Sequence, residues 1–307
     1  MPAGKSQANI VYPKVKLKDV SAAFWRGIRP QKWLFFGTVF FIISANVLTV
    51  VTPIFYKQFF DIVSSAGDKS QVVGTLLVLI IKIAVLNGFI WVFYRLATFF
   101  IIIYGADTIA RLKQQSYDYL MDHSYSFFSN SFTGSLVQKV NRFARAFDDI
   151  NDQLNFNVIP LCTRVVFITI VVFFINKWIA VVFLVWVIIF LTFNIVFSRW
   201  KLKYDIKVAE IDSKTTGYLA DTITNQNNVQ LFNGFNFELQ GYKKVTNEQA
   251  KTTKFAWNLD AIVEGGQAFL SFAIEFALFY FAIKYWQQGL ITIGVFVLLQ
   301  AYVINII

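Results

Sequence analysis

The chain has 307 residues, of which 56% are hydrophobic and 15% charged, and 35 are phenylalanine. Against the roughly 25% of charged residues in an average soluble domain, this balance excludes an ordinary water-soluble enzyme. The formal net charge of +10 would suggest nucleic acid if the cations were clustered on a polar domain, but they flank long apolar blocks and so point to lipid, with no nucleic-acid partner.

The first 32 residues are polar and basic. Within them, Leu17 to Gln31 mixes Val20, Phe24, Trp25 and Ile28 with Lys18, Arg26 and Arg29, the pattern of an amphipathic helix lying in the plane of a membrane surface. The apolar block that follows is longer than a signal-peptide core and has no small-residue cleavage pattern after it, so it is expected to remain as an anchor.

Runs near 20 residues suffice to cross a hydrocarbon core of about 30 Å. They occur at Trp33 to Tyr56, Val72 to Ile103, Phe156 to Asn176, Trp178 to Phe197 and Ala261 to Tyr285. A sixth, Gly294 to Ile307, reaches only about 21 Å as a helix and reads as an incomplete span. The domain layout expected is therefore a cytoplasmic segment 1–32 and a membrane domain 33–307.

Charge fixes the orientation. Lys5, Lys14, Lys16, Lys18, Arg26, Arg29 and Lys32 precede the first span; Arg111, Lys113, Lys139, Arg142 and Arg145 follow the second. Arg199, Lys201, Lys203, Lys207, Lys214, Lys243, Lys244, Lys251 and Lys254 follow the fourth, whereas only Lys57, Lys69, Lys177 and Lys284 fall on the opposite side. The positive-inside rule then puts the N-terminus and both long loops in the cytoplasm. Each inner loop runs to about 50 residues with helical periodicity and few breakers, so a helical hairpin is expected in place of coil.

Polar residues at membrane depth are costly and usually face a bundle interior or a cavity. Asn46, Lys82, Arg164 and Glu275 lie at a similar depth and are candidates to meet near the midplane. Asp260, Glu264, Gln267, Ser271 and Glu275 recur at helical spacing along one face of the fifth span; Asn87, Trp91, Tyr94 and Thr98, with Arg95 beside them, do so on the second. These residues either line a substrate cavity or, with Arg164 and Glu275 as a buried ion pair, hold the helices together.

The chain offers no phosphate-binding loop: its one Gly-x4-Gly, Gly289 to Gly294, is followed by Val295 where Lys is needed. Cys162 and His123 are each the sole residue of their kind, so no disulfide and no His/Cys metal site is expected. No catalytic residue is assigned.

Three stretches carry a family likeness. Ser126-Phe127-Phe128, with Thr133-Gly134-Ser135-Leu136 and Lys139-Val140, lies in the first inner loop. Gly217-Tyr218-Leu219-Ala220-Asp221, with Val229-Gln230-Leu231-Phe232 and Glu238, lies in the second, and Gly289-Leu290-Ile291-Thr292-Ile293-Gly294 forms the last outer turn. In order and spacing they resemble the transmembrane domain of ATP-binding cassette (ABC) exporters. Lys139, Phe143 and Asp221 depart from the family's usual Arg, acidic residue and Glu.

The resemblance implies an all-α, six-helix membrane domain whose short coupling helices, near Ser124 to Asn130 and near Asn225 to Phe232, dock on nucleotide-binding domains. Ser126, Phe127, Phe128, Asn228, Val229, Leu231 and Phe232 would make that contact. ATP and Mg2+ would sit on the nucleotide-binding domain, expected beyond residue 307 or on a partner chain, and none on this one. A second membrane domain would pair with it as a homodimer or heterodimer, exporting a lipid-like, amphipathic or peptide cargo across a cell (inner) membrane. From the residues alone an ion-coupled transporter or channel, or a non-transporting scaffold, remains open.

Overall fold

A computed structural model describes residues 16–66, 69–129 and 133–306. Lys5, Lys14, Asn130 and Ile307, used above, lie outside the described residues. Every regular element among the described residues is helical. The chain divides into two compact units, 1–168 and 169–305, each described by itself below.

In the first unit, α1 (Leu17–Ile28) runs through a 3-10 turn at Arg29–Gln31 into α2 (Lys32–Ser65). Pro30 explains the tight turn, since it lacks the N–H that an α-helical continuation needs. α3 (Lys69–Met121) packs along α2, the short α4 (Tyr125–Ser129) follows, and α5 (Thr133–Gln153) returns along α3. A π-turn at Leu154–Val158 then leads into α6 (Ile159–Ile175). The cause is Pro160, which cannot donate to the carbonyl four residues earlier and whose ring crowds it; widening one turn relieves the clash.

The second unit is built on two long helices, α7 (Lys177–Thr224) and α9 (Phe235–Gln287), packed along each other. Asn176 caps α7 by accepting from the backbone N–H of Trp178 at 2.9 Å and of Ile179 at 3.3 Å, which makes the sharp outer turn. Between the long helices lies α8 (Gln226–Leu231). At the far end Gly289, with φ +73°, closes α9 and α10 follows (Gly294–Ile306).

Among the described residues, five helical stretches are long and apolar enough to cross a membrane, and α10 is a shorter apolar helix. The helices overrun the spans that hydropathy delimits. α3 and α9 have 53 residues each, or about 80 Å of helix against a core of about 30 Å. Hydropathy marks where lipid ends; nothing in Tyr104–Met121 or in Arg199–Thr224 breaks a helix, so both continue past it. The two loops of about 50 residues are thus extensions of the spans themselves, each tipped by one short helix.

Candidate functional site

Asn46 is fully buried in α2, where its amide nitrogen donates to the Ile42 carbonyl at 2.7 Å and its side-chain oxygen accepts from Arg164 Nε at 2.8 Å. Two of the four midplane candidates are thereby brought together within the first unit. Lys82 stands exposed on α3. On the same helix Asn87 donates to the Ile83 carbonyl at 2.9 Å, Trp91 is 65% exposed, Tyr94 is half-buried and Arg95 exposed. This stripe is therefore surface of its unit, available to lipid, cargo or a second chain.

In the second unit Ser271 is buried, Gln267 and Glu275 are half-buried and Glu264 is exposed, so the predicted stripe straddles the edge of the α7–α9 interface. Gln267 donates to Asn194 Oδ1 at 2.5 Å, and Trp186, one turn above Phe190, donates to the Leu270 carbonyl at 2.8 Å. Lower on the same pair, Lys201 bridges Asp260, and at 3.2 Å Asp205. The hydrogen bond that Lys201 donates to Asp260 raises the Lys201 pKa despite partial burial, which lowers it.

The sequence reading missed Asn194 and a buried triad. Tyr104 donates to Asn151 Oδ1 at 2.6 Å and accepts from Asn155 Nδ2 at 3.1 Å, tying α3 to the end of α5 and the π-turn. Asn155 Oδ1 is buried without a hydrogen-bond partner among the described residues. The two asparagines stand four apart, just before the third span, which is the one signal the sequence held.

At the tips, α4 places Phe127 against His123, ring centroids 4.2 Å apart, and against Phe128 at 5.5 Å. Ser126 is exposed and its hydroxyl meets that of Ser124 at 2.8 Å. On α8 Val229 is buried, while Asn228 is exposed and Leu231 and Phe232 are 79% and 82% exposed. Asn233, with φ 50°, then reverses the chain and lets the Gly234 N–H reach the Val229 carbonyl at 2.8 Å.

Long apolar helices, prolonged as polar extensions and closed by short tip helices with exposed aromatic and aliphatic side chains, define a multi-pass membrane domain of the ABC exporter fold. The chain belongs to the family of ABC transporter transmembrane regions, whose model matches residues 34–307. It is similar to the mitochondrial iron-sulfur clusters transporter ATM1 of Debaryomyces hansenii, 22% identical over 305 residues covering 94% of this chain and 42% of that protein. ATP-binding cassette sub-family B member 6 of Rattus norvegicus is 21% identical over 214 residues, 65% of this chain and 24% of that one. Among solved structures, a bacterial Atm1-family ABC exporter with ATP bound superposes with a TM-score of 0.76 at 17% identity, over 90% of this chain and 48% of that chain. The chain spans less than half the length of these relatives.

Proposed function

We propose that this chain is the translocation domain of an ATP-driven exporter, working by alternating access with a second such domain and with nucleotide-binding domains that hold ATP and Mg2+. The observation that carries the reading is α8. One side chain, Val229, anchors it, and Leu231 and Phe232 are left bare at the tip of helices far longer than a bilayer needs. Apolar side chains so exposed at a tip mark a docking surface. α4, with Ser126, Phe127 and Phe128, supplies the second contact. Cysteines at Phe127 and Leu231 of the assembled transporter should crosslink to a nucleotide-binding domain; no crosslink from either position or its neighbours would refute the coupling role.

For cargo, Arg164 with Lys82, Asn87, Trp91, Tyr94 and Arg95 in the first unit, and Gln267 and Glu275 with Glu264 in the second, each supply mixed surface that suits an amphipathic, lipid-like or peptide guest, while the buried Asn46 and Ser271 support them from behind, Asn46 through its hydrogen bond from Arg164. The relatives titled iron-sulfur clusters transporter favour a second cargo class, one connected with iron-sulfur clusters. Substrate-stimulated ATPase in the assembled transporter, with each class offered in turn, separates the two. We place the protein in a cell (inner) membrane with its N-terminus cytoplasmic, on the distribution of cations. The ATM1 relatives are titled mitochondrial, so recovery in a mitochondrial fraction would overturn that placement.

A further inference from the structure

The amphipathic reading of α1 assigns Val20, Phe24, Trp25 and Ile28 to lipid, and the structure divides them differently. Phe24 and Ile28 are buried in a cluster with Tyr104 and Leu112 of α3 and Phe147 of α5, and Val20 packs against it. Phe24 meets Phe143 at 5.2 Å and Phe147 at 5.5 Å between ring centroids. Gly27 lies so close to α3 that a Cβ there would stand 3.1 Å from the side chains of Leu112 and Thr108. The apolar stripe of α1 is thus taken up by protein.

The α1–α2 corner is also locked. Arg111 donates from Nε to the Gly27 carbonyl at 2.7 Å and from Nη2 to Gln31 Oε1 at 3.0 Å, and Gln31 in turn donates to Asp107. The corner therefore moves with α3.

What remains outward is a different surface. Lys16, Lys18, Arg26, Arg29 and Lys32 are all exposed, and among the described residues none of the five forms an ion pair. Asp19 is the one acidic residue within α1. Trp25 is 41% exposed and Trp33 78%, and the Lys32 ammonium lies 5.4 Å from the Trp33 ring centroid. Phe36, 51% exposed, begins the apolar span one turn further on.

Cations and indole rings side by side at the mouth of an apolar span match the headgroup layer: indole rings prefer that depth, and ammonium and guanidinium groups pair with phosphates. With Phe24 and Ile28 already buried, α1 keeps only Leu17 and Trp25 as exposed large apolar side chains, so charge must supply most of the attraction. We propose that the outer face of the α1–α2 corner is a binding site for the phosphate headgroups of anionic lipids. Arg26, Arg29 and Lys32 make the charge contacts, and Trp25 and Trp33 set the depth. The inference needs the chain to cross a membrane and does not depend on transport or on any cargo.

The test uses the full transporter in a Cys162→Ser background with Ala22→Cys carrying a fluorophore. Ala22 is exposed and lies one turn from Lys18, Trp25 and Arg26. The protein is reconstituted in phosphatidylcholine bilayers in which bromine, the quencher, is carried either by phosphatidylcholine or by an equal small fraction of phosphatidylglycerol. Brominated phosphatidylglycerol should quench more strongly, with the apparent association falling about fivefold for each cation replaced by Gln. Arg26→Lys and Arg29→Lys should retain the preference, and raising salt should erode it in the unsubstituted corner, which keeps the proposal testable if the triple Gln variant fails to fold. Equal quenching by both lipids, a preference insensitive to salt, or one unchanged in the Arg26→Gln, Arg29→Gln, Lys32→Gln variant would overturn the proposal. So would a label shielded from both lipids and from aqueous iodide, which would show that protein covers the face.

Discussion

Arg164 donates from Nε to the side-chain oxygen of Asn46 across 2.8 Å, joining α6 to a fully buried amide on α2. Interhelical hydrogen bonds in membranes average about 0.6 kcal/mol and reach about 1.7 kcal/mol, and a charged donor belongs at the upper end. Asn46→Ala should therefore cost about 1–2 kcal/mol in a reversible unfolding titration in detergent, by the same reasoning. Arg164→Gln combined with Asn46→Ala should cost less than the sum of the two. Because we propose that Arg164 and Glu275 each face cargo on their own unit, Arg164→Gln and Glu275→Gln should also shift the cargo concentration that half-maximally stimulates ATPase. Unchanged cargo dependence with lowered stability would make the residues purely structural.

The Tyr104 hydroxyl is the one group that ties α3 to both Asn151 and Asn155, and the whole side chain is buried. Tyr104→Phe removes the hydroxyl's two hydrogen bonds while Asn155 Nδ2 keeps its bond to Asn151 Oδ1 at 3.0 Å, so the cost is about 0.5–1.5 kcal/mol. Thermal unfolding of the purified transporter measures it. Adding Asn151→Ala should cost less than the sum of the two single substitutions, because both remove the same hydrogen bond between Tyr104 and Asn151.

Spans, their order and the helical nature of the inner loops were legible because they depend on composition over twenty or more residues. The tip helices were legible through family likeness: Tyr125–Ser129 and Gln226–Leu231 fall inside the stretches singled out. Helix ends were not, since the apolar signal stops at Ile103 and the helix at Met121. Nor were the pairings that organise each unit. Asn194 with Gln267, and Tyr104 with Asn151 and Asn155, join residues far apart in sequence, and no periodicity on one helix encodes which residue faces it from another. The lipid assignment of Phe24 and Ile28 fails for the same reason, because amphipathicity shows that a face will be buried and does not say against what.

Lys201 links α7 to α9 through Asp260 outside the apolar stretch, and the hydrogen bond it donates to that carboxylate raises the lysine pKa above its usual 10.5. A lysine held protonated by its partner stabilises the fold at every pH below that ordinary value, and the contribution disappears as pH rises through the raised one. Asp260 is 44% exposed, so solvent screening limits the pair to about 1 kcal/mol or less. Lys201→Met should show that small loss at neutral pH, and the difference from the unsubstituted protein should vanish once the pH has risen through the raised lysine pKa.

Gly266 permits a close approach of α9 to α7: a Cβ at this position would stand 2.5 Å from Cζ of Phe193. The obstacle is the end of a ring, and that ring is itself held at 4.6 Å from Phe197, so it cannot turn away without disturbing a second aromatic. Gly266→Val should destabilise the second unit by about 1–3 kcal/mol through overpacking. The neighbouring bond from Gln267 to Asn194 should weaken with it, since each partner of that bond adjoins one of the clashing residues in sequence. Phe193→Ala in the same chain opens the space and should return most of the lost stability, read as recovery of the thermal midpoint. If Phe193→Ala fails to rescue Gly266→Val, the glycine is required for some contact other than this helix crossing.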